Sequence, residues 1–297
     1  MTAPSRWIPI VLLALAGPGL LACQGSRERA EGLRLYNEGI RTPAGASDSA
    51  YSLFRRATRL DPGNHRAYYE MALIDIYDRG ERGHGLTLLE TAEKIQPRDR
   101  DVLYQLGRTL IAAGELNRGH RYLERALEAD PNYAPAWYQK GAVLRAQGQH
   151  EGADDAFREA IAIDPRYSPA FRDLGEMYED VDAWEAAQAV YEEGLRHASD
   201  DPDLLNALGL LALRRGEPAR AVEHFERAKG LSEARLDTLF NLAFAHIEAG
   251  NHGEAFRNLG EYLNAVPETE KEHIQVALAL RDAVIKEIQR QRAEDGP

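Results

Sequence analysis

The feature that most constrains this chain is a period of 34 residues. With Pro131 and Pro165 taken as one repeat position, Pro62, Pro97, Ser199, Glu233 and Pro267 fall at the same place, at intervals of 35, 34, 34, 34, 34 and 34 residues. A period of this size means that one small supersecondary unit is stacked on copies of itself, each burying a face that no unit could bury alone. The single interval of 35 requires one extra residue, expected near Gly80 to Gly85.

Within each unit the pattern is that of two amphipathic helices. Eight residues in, a very small side chain recurs as Ala72, Gly107, Gly141, Gly175, Gly209 and Ala243, where two helices cross too closely for a larger substituent. A large apolar residue stands one helical turn before each, as Tyr68, Leu103, Trp137, Phe171, Leu205 and Leu239. The second half repeats the logic, Gly119, Leu123 and Ala126 being echoed by Ala153, Phe157 and Ala160, then by Ala187, Tyr191 and Gly194. Gly114, Gly148, Gly216 and Gly250 mark the turns inside the units, and Ser168 before Pro169 and Asp201 before Pro202 read as N-caps followed by proline in the first helical turn.

These residues resemble the tetratricopeptide repeat (TPR), most fully over 100–131 and 134–165. The resemblance covers 31–267 as seven units, the first degenerate because Pro43 ends its first helix early. It implies an all-α fold, a right-handed superhelical solenoid. Residues 268–292 lack proline and glycine and carry Ile274, Leu278, Val284, Ile285 and Ile288 at helical spacing, which suits a capping helix over the last apolar edge, followed by a disordered tail at 293–297.

The resemblance also implies where a partner binds. In this family the first helices line a concave face, and the corresponding positions here are Tyr69, Tyr104, Tyr138, Arg172, Asn206 and Phe240, with Arg108, Arg145, Leu210, Leu213, Phe244 and Ile247 beside them. They predict an amino-terminal tyrosine ladder, a charged middle at Arg172, Glu176 and Glu179, and an apolar carboxy-terminal groove. The Lys and Asn pattern of TPR domains that clamp chaperone carboxyl termini is absent from these positions, so an extended or helical apolar segment is the expected ligand.

The first 22 residues read as an export signal, with one charge at Arg6 and a nearly continuous apolar run from Ile8 to Ala16, closed by Gly17, Pro18 and Gly19. Leu20, Leu21, Ala22 and Cys23 resemble a bacterial lipobox, with Leu21 departing from the small residue usual there. The resemblance implies acylation of Cys23 and membrane attachment through that lipid. Gln24 in place of aspartate implies the outer membrane, facing the periplasm. A tether over residues 23–30 would leave the repeats close to the bilayer.

Composition and chemistry narrow the function further. A formal charge of −12 without a Lys or Arg block disfavours nucleic acid. Cys23 is the only cysteine, which leaves no disulfide and no Cys-based metal cluster. The nine histidines are scattered; His150 with Glu151, Asp154 and Asp155 reads as a solvated first turn, and Gly80, Gly83 and Gly85 as turn formers lacking the Lys-Ser of a phosphate loop. No cofactor, metal or catalytic residue is expected. The expected role is a membrane-anchored protein-interaction scaffold of the bacterial cell envelope, assisting assembly of a secretion or pilus system and resembling TPR pilotins. The alternative is an adaptor that docks a periplasmic protease or peptidoglycan enzyme; an enzyme is the remote alternative.

Overall fold

The computed structural model describes residues 18–231 and 235–294, with side chains from residue 25 onward. The greater part of the expected signal, 1–17, and the end of the expected tail, 295–297, lie outside the described residues, as does the side chain of Cys23. All described secondary structure is helical. The helices gather into two compact units, Met1–Ala129 and Asp130–Pro297.

The first unit is built from three hairpins: α1 (Pro18–Ile40) with α2 (Ser47–Leu60), α3 (His65–Leu73) with α4 (Arg82–Ile95), and α5 (Arg100–Ala112) with α6 (Leu116–Ala129). The second has four, α7 (Ala134–Ala146) with α8 (His150–Ile163), α9 (Ser168–Glu179) with α10 (Trp184–His197), α11 (Pro202–Arg214) with α12 (Pro218–Leu231), and α13 (Leu236–Glu248) with α14 (His252–Ala265). It ends in α15 (Lys271–Glu294).

Each hairpin closes on a small residue. A Cβ on Gly141 would stand 2.7 Å from Phe157 Cδ1, one on Gly209 2.5 Å from Phe225 Cε1, and one on Gly107 2.9 Å from Leu123 Cδ2. Phe157, Phe225 and Leu123 are wholly buried, and removing such a side chain from water is worth about 1.5–3 kcal/mol. The small residue is therefore the condition for a large one to reach the core from the opposite helix. In the first hairpin Gly39 does the same under Phe54. The turn glycine has a conformational reason, with Gly114 at φ 83° and Gly148 at 73°; in the α9–α10 turn, where glycine is missing, Asp182 takes φ 56°.

Three local expectations need correction. The extra residue of the 35-residue interval does not lie at Gly80 to Gly85. A π-helical turn, Ile74–Asp78, absorbs it before Gly80, with Arg79 N–H bonding to Ile74 C=O at 3.1 Å. Gly85 then serves as a packing glycine, since a Cβ there would meet Ile76 Cγ1 at 2.5 Å. Ser168 is not an N-cap: the helix starts at that residue, and Tyr167 holds the N-cap position without a side-chain hydrogen bond, while Asp164 accepts from Arg166 N–H at 3.0 Å in the turn before it. Asp201 does cap, accepting from the N–H groups of Asp203 and Leu204 at 3.0 Å each.

The third correction is at the start. Helix α1 begins at Pro18, where proline suits a first turn, and continues through residues 25–30, which were expected to form an extended tether. Ion pairs from Arg34 to Glu31 at 2.7 Å and to Glu38 at 3.0 Å favour the helical register farther along. At the other end, α15 lies along α14 with Ala277 and Val284 buried, while Leu278, expected on its apolar face, is exposed.

Candidate partner-binding surfaces

In the first unit the tyrosine positions are half-buried. Burial raises the pKa of Tyr69 and of Tyr104, and Arg108 holds its guanidinium 5.7 Å from the Tyr104 ring centroid and 5.9 Å from that of Tyr77. Tyr77, 54% exposed, accepts a hydrogen bond from Gln105 Nε2 at 2.6 Å. Sequence reasoning missed it because Tyr77 sits in the π turn, where the helical phase slips. The same turn buries Asp75 completely, and its carboxylate accepts from Arg79 at 3.1 Å, Tyr51 at 3.3 Å and His84 Nδ1 at 2.5 Å. Glu81 is close by, but the acceptor sites of Asp75 are already engaged within the protein.

In the second unit Tyr138 is committed to packing between repeats. Its ring lies 5.4 Å from that of Tyr167 and 5.9 Å from that of Phe157, and its hydroxyl donates to Asp173 Oδ2 at 2.8 Å. The burial of this ring, then the Asp173 charge beside it, raise its pKa.

The charged middle is self-neutralised. Arg145 on α7 reaches across to α9, where it pairs with Glu176 at 3.2 Å and with Asp180 just past the helix end at 2.7 Å; Arg172 pairs with its neighbour Asp173 at 2.9 Å. Glu179, buried, accepts from Tyr191 Oη at 2.6 Å and from Arg214 at 2.8 Å. Such pairs bind successive first helices to one another and leave little unmatched charge for a partner. The signal that could have found them is the repeat itself: Tyr138 and Asp173, Arg145 and Asp180, Glu179 and Arg214, and Asn206 and Asn241 are each 35 residues apart.

The apolar carboxy-terminal surface is different. Leu210 on α11 is 36% exposed and Phe244 on α13 is 39% exposed, at equivalent repeat positions. Their helices bury the neighbouring positions, Leu208 and Leu211 in one and Leu242, Ala243 and Ala245 in the other, so these two side chains point away from the core. Leu213 and Ile247, expected beside them, pack instead against buried hydrophobic clusters. Phe240 packs on Tyr262, ring centroids 5.3 Å apart, at the floor of a groove of about 480 Å³.

That groove exists because of how α14 ends. Pro267 follows the last turn of α14, and the connection to α15 directs the cap along α14, where Ile274, Leu280 and Ile288 join the core cluster. Successive first helices α7, α9, α11 and α13 touch one another, whereas α15 scarcely touches α13. The gap between them is walled by Leu236 and Phe240 of α13, Tyr262 of α14, Val266 and Pro267, and Val276 of α15. Tyr262, Val266 and Val276 were absent from the sequence-based site because their contribution depends on the direction of α15.

Two models of the tetratricopeptide repeat match the sequence, at residues 104–168 and 144–211. The chain carries tetratricopeptide repeats. Its structure is similar to yeast Tom70, with a TM-score of 0.65 and 17% identity, covering 90% of this chain and 56% of that one. It is also similar to a TPR protein from Parabacteroides merdae, with a TM-score of 0.63 and 14% identity over 86% of this chain and 99% of the other. PilW, a widely conserved type IV pilus biogenesis factor, gives a TM-score of 0.58 and 20% identity over 72% and 96%. At these identities the likeness is one of fold. No curated protein matches the sequence. TPR domains bind peptide or protein partners, and the matches make this chain a protein-interaction scaffold with no catalytic family indicated.

Proposed function

We propose that this TPR protein is a lipid-anchored scaffold of the bacterial cell envelope, held at the outer membrane facing the periplasm, where it assists assembly of a pilus or secretion system. The observation that carries the reading is the pair of outward apolar side chains, Leu210 and Phe244, on first helices of the unit whose charged middle is neutralised by its own ion pairs. Exposed apolar side chains grouped on one face are costly in water and characteristic of interaction sites. The fold likeness to PilW supports the pilus assignment, and the sequence around Cys23 supports the lipid. Among the described residues no helix is long and apolar enough to cross a membrane; the proposed attachment is through acyl chains on Cys23. A helical segment over 25–30 spans only about 9 Å, which keeps the first hairpin close to the lipid surface.

A photo-crosslinking side chain placed at Phe244 tests the reading in cells, with the same group at Phe256, an exposed position on second helix α14, as control. The expected result is a discrete adduct with an envelope protein at Phe244 and none at Phe256. Equal labelling at both positions would refute the assigned surface.

A further inference from the structure

We infer that the groove between α13 and α15 selects a basic segment, one that seats a bulky apolar side chain on Phe240 and Tyr262 and places a lysine or arginine at the rim. This deepens the scaffold reading and rests on it. Of the groove's lining residues, the ionisable ones apart from Tyr262 are Asp237, Glu270 and His273, with no lysine or arginine. Asp237 and Glu270 are both half-exposed, one on each side of the opening. Asp237 shares Arg235 with Asp203, and Glu270 accepts from His273 Nδ1 at 3.0 Å, so neither carboxylate faces an undivided cation. The nearby Lys271 lies outside the lining.

The wider charge distribution points the same way. Residues 1–129 hold 18 Lys and Arg against 16 Asp and Glu, a formal +2, whereas residues 130–297 hold 18 against 32, a formal −14. The whole acidic excess thus belongs to the unit that contains the groove. A field of this sign attracts cationic segments and repels acidic ones before any contact forms. The floor supplies what charge alone does not: Leu236, Phe240, Val266, Pro267 and Val276 give an apolar seat large enough for an aromatic or leucine side chain with its adjoining backbone.

The test uses the full chain and a short fluorescein-labelled peptide of leucine, phenylalanine and lysine, with a counterpart in which every lysine is glutamate. Fluorescence anisotropy is expected to show saturable binding of the lysine peptide that weakens with salt, and no binding of the glutamate peptide. Asp237→Asn with Glu270→Gln is expected to weaken the lysine peptide about five- to ten-fold. Asp155→Asn with Glu159→Gln, an equal loss of charge on the exposed face of α8, is expected to leave it unchanged. Equal affinity for the two peptides, no binding of the lysine peptide, or equal weakening by the two double variants would overturn the proposal. If both peptides bind alike and both are lost on Phe244→Asp, charge selection fails while the scaffold reading stands.

Discussion

Adding a single methyl group at Gly175 is expected to destabilise the second unit more than its size suggests. A Cβ there would stand 2.1 Å from Tyr191 Cε1, 2.5 Å from Cζ and 2.7 Å from Cδ1, so the ring has to move. Tyr191 is fully buried, and its hydroxyl donates to Glu179, itself buried and held by Arg214. Displacing the ring therefore costs about 1–3 kcal/mol of overpacking and roughly 1.5–3 kcal/mol for a hydrogen bond to a buried charge. The helix preference for alanine over glycine returns up to ~1 kcal/mol. A net loss of about 2–4 kcal/mol follows, which for a unit of this size lowers Tm by roughly 5–15 °C in a circular dichroism melt. Gly260→Ala, in a helix where nothing lies within 4 Å of the new Cβ, is expected to raise stability by up to ~1 kcal/mol. In a Tyr191→Leu background, which removes the ring, Gly175→Ala should cost much less. An unchanged Tm, or the same cost in both backgrounds, would refute the close-crossing argument.

Three further outcomes can be checked separately. Asp201→Ala removes the acceptor for two N–H groups at the start of α11 and is expected to cost about 1 kcal/mol in denaturant unfolding. Burial lowers the pKa of His246, against an opposing pull from Glu226, so its contribution to stability is full above the unfolded value near 6.5 and is lost as pH falls through the folded value. An NMR titration midpoint for His246 at or above 6.5 would contradict that assignment. Cys23→Ala is expected to move the protein from the membrane fraction to the soluble fraction of cells, and continued membrane association would exclude the lipid anchor.

The sequence was most legible where the physics is local. The small residue at each crossing, the large residue opposite it and the glycine turns follow from helical spacing, and Gly141 facing Phe157 or Gly209 facing Phe225 restates that pattern in space. It was less legible where one residue changes phase. The extra residue near Tyr77 enters the helix as a π turn, in which Ile76 packs over Gly85 and Asp75 is buried against Tyr51, Arg79 and His84. The site was harder still, because exposure depends on neighbours 34 or 35 positions away. Arg145 and Tyr138 have the composition of ligand contacts, yet Asp180 and Asp173 in the next repeat occupy them. Leu210 and Phe244 are outward because Leu208 and Leu211, and Leu242, Ala243 and Ala245, take the buried face of their helices, and the groove at Phe240 depends on the course of α15 after Pro267.

The central claim is that the apolar first-helix surface of the second unit holds the partner, and one double variant tests it most directly. Leu210→Asp with Phe244→Asp alters two exposed side chains whose loss opens no buried cavity, so folding stability should change by no more than about 0.5 kcal/mol and membrane attachment should be unchanged. Co-purification of the envelope partner captured at Phe244 should fall to background, with loss of the assembly it supports. Full partner recovery by a folded, membrane-attached double variant would contradict the account.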